Sequence, residues 1–313
     1  MADFSIITPV LNQVSHIETC ILSVLEQDCD VQHIIIDGGS SDGTIDIIRK
    51  YENRISYWKS EPDSGQSDAI NKGLKLANGT FFNWLNADDR LTPNALQTVL
   101  NCIDSKTDVV IGKCEHVDEN RNSIAVGFAR IWDSLEATVG NYSMGQPSLF
   151  YKTSVVQELG GLNNSLHYCM DMDLWFRYLS TFGQKNIALT ESILSQFLVH
   201  SDSKSVDFKN EMSIEKYGIY KVLLSQFEQP EVLLEFLAEF SLSDVDSKSY
   251  QGNLDKDVLL ANFCWHLMVE AYEKGEIERC KAFYDIVKNG NRLSTSETLK
   301  WNTRFASAKL MRR

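Results

Sequence analysis

Three short acidic clusters carry the side chains best suited to chemistry: Asn86-Ala87-Asp88-Asp89, Asp37 at the head of Asp37-Gly38-Gly39-Ser40-Ser41-Asp42-Gly43-Thr44, and Asp171-Met172-Asp173-Leu174-Trp175. Adjacent carboxylates just past an apolar strand suit a hard divalent cation, since Mg2+ and Mn2+ prefer oxygen ligands. Such a cation offsets the charge left on a departing nucleoside diphosphate. A helix N-cap explains Asp88 or Asp89 equally well, because Pro93 is placed to help start the next helix. Asp37 is placed to accept a hydrogen bond from a base imide N–H, as uracil offers; a plain turn capped by Asp42 or Thr44 is the alternative. The glycines there fit neither G-x-G-x-x-G nor G-K-[ST], so neither a dinucleotide fold nor a P-loop is indicated. Residues 171, 174, 175 and 178 share one helical face, so Asp171 points with Leu174, Trp175 and Tyr178 towards the core. A carboxylate aimed inward at a helix start is either a cap or a general base for an attacking hydroxyl. His200, a lone histidine followed by the polar Ser201 to Ser205, is by itself better explained as structural.

These residues need a frame, and the apolar pattern supplies one. Phe4 to Thr8 is expected as a strand ended by Pro9, followed by a helix on which Ile17, Cys20, Ile21, Val24 and Leu25 recur at helical spacing. Strands are then expected at Ile34 to Ile36, Ile55 to Trp58, Phe81 to Leu85, Asp108 to Gly112 and Ser148 to Tyr151. Helices are expected at Thr44 to Tyr51, at Ala69 to Ala77 (closed by Asn78-Gly79), and at Asp171 to Tyr178. Strand–helix–strand alternation implies an α/β fold with a mixed, mostly parallel sheet covered on both faces. Ligands bind beyond the carboxyl ends of such strands, where Asp37, Asp88 and Asp89 fall. From about Val206 the character changes to helical periodicity, at Glu231 to Phe240, Val258 to Lys274 and Ile277 to Val287, with a polar loop at Ser241 to Gly252. Two domains are expected: residues 1–206 as the α/β unit, and residues 207–313 as a helical unit with an acceptor, scaffold or partner role. No 34-residue period recurs, so a solenoid is not indicated.

The bulk properties exclude several classes. The formal net charge is −13 over 313 residues, opposite to the basic field that a dedicated nucleic-acid binder needs. The cysteines, seven and scattered, never form C-x-x-C, which fits free thiols in a reducing compartment and not a disulfide framework or zinc site. No apolar run approaches the roughly 20 residues that span a bilayer, so a cytoplasmic location is expected. The sequons at Asn78, Asn141 and Asn163 carry no weight in that compartment. The tail Lys300 to Arg313 bears five basic residues and no acid. It reads either as a solvated helix end or as a weak peripheral contact with the inner face of an anionic membrane.

In order along the chain stand Ile6-Ile7-Thr8-Pro9 with Asn12, the Asp37 to Thr44 turn, Gly65-Gln66-Ser67-Asp68-Ala69-Ile70-Asn71-Lys72-Gly73, and Trp84-Leu85-Asn86-Ala87-Asp88-Asp89. Gly145-Gln146-Pro147-Ser148, Gly160-Gly161 and Met170 to Trp175 follow. This order and spacing resemble the inverting family 2 glycosyltransferases of the Rossmann-like GT-A fold, over roughly residues 1–205. The resemblance implies transfer from a nucleotide-sugar donor, commonly UDP-linked, to a saccharide or lipid-linked acceptor, of the kind that builds bacterial surface polysaccharides. A hexosyl- or N-acetylhexosaminyltransferase is the expected enzyme class. By likeness Thr8 and Pro9 line the base pocket, Asp37 binds the base, and Asp68 contacts the nucleoside side of the donor. Asp88 holds Mn2+ or Mg2+, Asp89 supports metal or sugar, and Asp171 is the catalytic base. His200, with Ser203 and Ser205 nearby, resembles the segment that closes over the diphosphate and adds a metal or phosphate contact.

Three positions depart from the family pattern. Asn86 replaces the first acid of D-x-D and keeps only hydrogen bonding, for instance to a ribose hydroxyl. Ile70 replaces an arginine of an A-R-N triplet, so the diphosphate must be held otherwise. Met170 stands where relatives place Glu. Two rival functions share parts of this pattern. A sugar-phosphate nucleotidyltransferase would carry a basic glycine-rich loop near the N-terminus, which Ile6 to Gln13 lacks. A non-catalytic nucleotide-sugar-binding module would have no need of both Asp88 and Asp171.

Overall fold

The computed structural model describes residues 2–200, 208–240, 242, 250 and 252–310, the last five of these by backbone alone. Ser203, Ser205, most of the Ser241 to Gly252 loop, and Arg312 and Arg313 lie outside the described residues. The chain divides into two compact units. The first comprises Met1–Ala129, Ser143–Tyr178 and Phe182–Lys216, and the second Arg130–Tyr142, Leu179–Thr181 and Tyr217–Arg313.

The first unit is built on a mixed nine-stranded sheet. Four strands form its parallel half: β1 (Phe4–Val10), β2 (Val31–Asp37), β3 (Tyr57–Ser60) and β4 (Phe81–Trp84), in the spatial order β3-β2-β1-β4. The order continues through β8 (Leu149–Lys152), β6 (Val109–Val117), β9 (Ile187–Leu198) and β5 (Arg90–Leu91), and β7 (Ser123–Phe128) pairs with β6. Beyond β4 the pairing is antiparallel except between β6 and β9. Every residue of β1 is buried, as expected of a central strand covered on both faces. That strand runs through Pro9 to Val10 and does not stop at the proline. Ile7 O accepts from Leu85 N on the β4 side, while Val10 O accepts from Gly38 N on the β2 side. Pro9 therefore faces the β4 side, two residues past the last β1–β4 pair (Ile7 with Trp84), where a missing N–H costs nothing.

Helices α1 (Ile17–Leu25), α2 (Thr44–Lys50), α3 (Gln66–Leu74), α4 (Ala95–Leu100), α6 (Thr153–Glu158) and the start of α7 (Met170–Phe182) belong to this unit. Helix α3 begins three residues earlier than the apolar period suggests. Gly65, at φ 114, makes the turn that lets it start at Gln66. Phe4, Ile6, Cys20, Val24, Phe81, Leu96, Val110 and Phe150 form one core cluster; Val10, Ile17, Ile21, Ile35 and Ile48 form another. Within the sheet, His33 is buried, with Nε2 3.0 Å from Thr8 Oγ1. Burial pushes its imidazole down to about 3. A histidine held neutral in the fold contributes stability that is complete above its unfolded value near 6.5 and is lost as pH falls towards 3. We expect roughly 4 kcal/mol of acid destabilisation over that interval to disappear in His33→Gln, read from urea midpoints as a function of pH.

The second unit is helical. It contains α5 (Leu135–Gly140), the second half of α8 (Lys209–Leu224), α9 (Glu231–Ala238), α10 (Lys256–Glu273), α11 (Ile277–Asn289) and α12 (Thr295–Leu310). Leu260, Cys264 and Met268 of α10, with Cys280, Phe283 and Val287 of α11, are buried in it. The segment Arg130–Tyr142 joins this unit through specific bonds. Tyr220 Oη donates to Val139 O (2.8 Å), and Asn141 Nδ2 donates to Asn262 Oδ1 (2.8 Å). No described helix is long and apolar enough to cross a membrane. All seven cysteines are free, and five of them are buried.

Candidate active site

The site is assembled at the carboxyl ends of β1, β2, β4 and β9. After β4 the chain turns through Asn86 to Asp89, with Asp89 N donating to Asn86 O (3.1 Å). The cap reading of this cluster fails, because Asn94 occupies the N-cap position of α4. The two aspartates are sharply unlike. Asp89 is buried; its Oδ1 accepts from Leu198 N (3.1 Å) and its Oδ2 from Asn86 Nδ2 (3.3 Å). Burial, and then the charge of Asp88, push its carboxyl well above the usual carboxylate range. Asp88 is partly exposed, and its Oδ2 lies 3.2 Å from Nε2 of His200.

The contact between Asp88 and His200 joins residues that are remote in sequence. It arises because Leu198, the last residue of β9, is tied to Asp89, so His200 emerges beside Asp88. Two side chains that carried no signal in the sequence share the spot. The His16 ring, at the N-cap position of α1, lies 5.5 Å from that of His200. Burial lowers its pKa, the charge of Asp88 opposes this, and His200 and Arg121 add to the lowering. Arg121, at φ 63 between β6 and β7, brings a cation within electrostatic reach of both aspartates. Its Nη1 is buried without a hydrogen-bond partner among the described residues.

The Gly65 motif is tied to this centre. Asn86 Oδ1 accepts from Gln66 Nε2 (2.7 Å), which brings the Gly65 motif onto the Asn86 cluster. A Cβ on Gly65 would meet His167 Nδ1 at 3.3 Å, and Ser67 Oγ donates to Leu166 O (2.9 Å). The segment leading into α7 therefore packs on the same motif. Asp171, in the first turn of α7, is half-buried, and its Oδ1 accepts from Met172 N (2.8 Å). Leu174, Trp175 and Tyr178 on its face are fully in the core. Helix α7 is locked by Arg177, which donates to Asp173 Oδ2 (2.7 Å), Leu159 O (2.8 Å) and Gly161 O (2.8 Å).

The base-pocket residues are placed differently from the acidic centre. Thr8 and Pro9 are buried within β1, with the Thr8 hydroxyl paired to His33. Asp37 is wholly buried, and its carboxylate accepts from Gly39 N, Ser40 N, the Ser40 hydroxyl and the Ser60 hydroxyl. A base reaching that carboxylate would compete with the Ser40 and Ser60 hydroxyls. Gly43, at φ 105, occupies the N-cap position of α2, and Asp42 just ahead of it accepts from Thr44 N (3.0 Å) and Val14 N (3.0 Å). Asp68 accepts from Ser64 N (3.1 Å) and pairs with Lys72 at 3.1 Å. Position 70 is an isoleucine in the core and offers no charge.

Among the described residues no three or more His, Cys, Asp or Glu side chains are grouped to hold a metal ion. Asp88 and His200 are the two side chains here that could serve as ligands, one through an oxygen and one through an imidazole nitrogen, a set that would suit Mn2+ better than Mg2+.

The chain is similar to known proteins. Residues 5–157 match the family model Glycosyl transferase family 2. An uncharacterized glycosyltransferase of Rickettsia typhi is 25% identical over 295 residues, covering 85% of this chain and 89% of that protein. One from Rickettsia conorii is 31% identical over 219 residues, 66% of this chain but 35% of its own length. Among solved structures, S. aureus TarS 1–349 in complex with UDP superposes with a TM-score of 0.56 at 19% identity, covering 92% of this chain and 89% of that one. The mannosyltransferase PcManGT from Pyrobaculum calidifontis, in complex with GDP-Man and Mn2+, gives 0.51 at 14% identity, covering 98% and 85%. The structural likenesses show the GT-A fold. With the family match, they lead to one conclusion: residues 5–157 are a glycosyltransferase family 2 region, set in a chain with the GT-A nucleotide-sugar-binding fold.

Proposed function

We propose that the chain is a metal-dependent inverting glycosyltransferase that moves a sugar from a UDP-linked donor to a hydroxyl of a saccharide or lipid-linked saccharide. The observation that carries this reading is the 3.2 Å approach of Asp88 to His200, beside the buried Asp89. Bound there, Mn2+ or Mg2+ supplies charge neutralisation for the departing diphosphate. Asp171 takes the proton from the acceptor hydroxyl as its oxygen bonds to the anomeric carbon and the bond from that carbon to the diphosphate oxygen breaks. Asp37 holds the Gly38 to Ser40 turn in shape for the base, while Asp68 and Lys72 fix the start of α3 on the nucleoside side. Asn86 acts through hydrogen bonds, with Gln66 and Asp89 setting its orientation.

The setting that suits such chemistry is surface-polysaccharide assembly on the cytoplasmic side of a membrane, with residues 207–313 as the acceptor or scaffold part and Lys300 to Arg313 as the contact with anionic lipid. The neighbouring solved structures include TarS 1–349 in complex with UDP-GlcNAc, which makes that donor the first to try. A thermal-shift panel of UDP-, GDP- and dTDP-sugars with Mn2+ tests the donor. Stabilisation is expected to be largest with a UDP-sugar and to vanish in EDTA. No stabilisation by any nucleotide sugar would remove the reading.

A further inference from the structure

Glu215 lies on α8, outside the stretch matched by the family model, and is nearly buried at 7% exposure. A carboxylate taken out of water must find strong donors. This one finds three backbone N–H groups in a row: His167 N donates to Oε1, and Tyr168 N and Cys169 N donate to Oε2, each at 2.8 Å. Those amides stand immediately ahead of α7, whose first internal bond runs from Asp173 N to Cys169 O (3.1 Å). The N–H groups at a helix start need acceptors from elsewhere, and the positive end of the helix favours a negative one. Side-chain caps normally come from the residue next to the helix. Here the anion comes from 48 residues after His167.

The location gives this bond network a consequence for catalysis. Asp171 follows Cys169 by two residues, and its Oδ1 is already held by Met172 N. The place of this carboxylate follows the course of the backbone from Cys169 to Asp171. The second turn of α7 is fixed separately, through Arg177 on Leu159 O and Gly161 O. The backbone that enters the first turn, which carries Asp171, is held by Glu215, beside the bond from Cys169 Sγ to Met212 O (3.5 Å). We infer that Glu215 is a positioning residue for Asp171: by gathering the N–H groups of His167, Tyr168 and Cys169 it holds the catalytic carboxylate in line with the acceptor oxygen. This rests on Asp171 being the base of the proposed transfer.

Misplacement of a catalytic group by about 1 Å can cost on the order of 100-fold in rate. The test uses the full chain with Mn2+ and the nucleotide sugar that stabilises it most, with water as acceptor, and reads release of nucleoside diphosphate. Glu215→Gln keeps the side chain's shape but turns an NH2 group towards an N–H donor. It should lower kcat by roughly 10–100-fold with donor KM unchanged. In the double variant with Asp171→Asn the Glu215 effect should vanish, because a residue acting through Asp171 has nothing left to position. Hydrogen exchange on the folded Glu215→Gln protein should quicken at the amides of residues 167–169 and stay slow in β1. Wild-type kcat in Glu215→Gln, or a loss that multiplies in full on the Asp171→Asn background, overturns the inference. Wild-type turnover in Asp171→Asn alone overturns the assignment of the base instead, which keeps the two failures apart.

Discussion

Asp171→Asn is expected to lower turnover by about 100- to 10,000-fold while leaving donor affinity within about twofold of wild type. The amide oxygen can still accept from Met172 N, so the first turn of α7 keeps its shape. What is lost is the capacity to take a proton. The aspartate is half-buried on a helix whose remaining inward residues, Leu174, Trp175 and Tyr178, are wholly buried, so the rest of the α7 face serves the fold. Calorimetry with the nucleotide sugar and Mn2+ checks the binding half of this expectation, and single-turnover release of nucleoside diphosphate checks the chemical half. A variant that binds donor poorly but turns it over normally once bound would place Asp171 in donor recognition instead.

The second large effect belongs to Asp88. Asp88→Ala should abolish the Mn2+-dependent part of donor affinity, a loss of at least about tenfold or 1.4 kcal/mol, and leave the residual metal-free affinity in place. His200→Ala should reproduce part of that loss, because the two side chains face the same point 3.2 Å apart. Asp89 must behave otherwise. With its oxygens on Leu198 N and Asn86 Nδ2, Asp89→Ala leaves a buried N–H unpaired, and its main cost should be to stability, about 1–3 kcal/mol. Titrations with donor in Mn2+ and in EDTA, beside urea midpoints for each variant, separate these outcomes.

Much of the fold could be read from the chain because its periodicities are strong. Phe4 to Val10 is apolar enough to be a central strand, and Ile17, Cys20, Ile21 and Val24 repeat on one helical face. Two of the elements not expected from the sequence have weak local signals. Strand β5 is two residues long, and β7, Ser123–Phe128, is exposed on both faces, so neither bears a burial pattern to find. Arg130–Tyr142 packs with the helical unit through Asn141 on Asn262 and Val139 on Tyr220, partners 121 and 81 residues away. Nothing local announces contacts of that range.

The site was legible in the same uneven way. Asp88 and Asp171 stood out as acids at a strand end and a helix start. The contact of Asp88 with His200 depends on the pairing of β9 with β6 and on Leu198 being tied to Asp89; a lone histidine does not reveal it, and only the family resemblance set His200 with the metal carboxylate. His16 and Arg121 come close to Asp88 only through folding, and Glu215 reaches α7 from a helix outside the family match. Asp37 shows the converse. Its motif was conspicuous, yet the carboxylate is wholly engaged by its own turn and by Ser60.

In the proposed reaction a nucleotide-sugar donor, a divalent metal and the Asp171 base act together. Release of nucleoside diphosphate from the best-bound nucleotide sugar, followed in Mn2+ and in EDTA for wild type and Asp171→Asn, tests it most directly. Steady release by wild type is expected in Mn2+, with rates at least about 100-fold lower both in EDTA and in Asp171→Asn. Equal release with and without metal, or in wild type and Asp171→Asn alike, would contradict it.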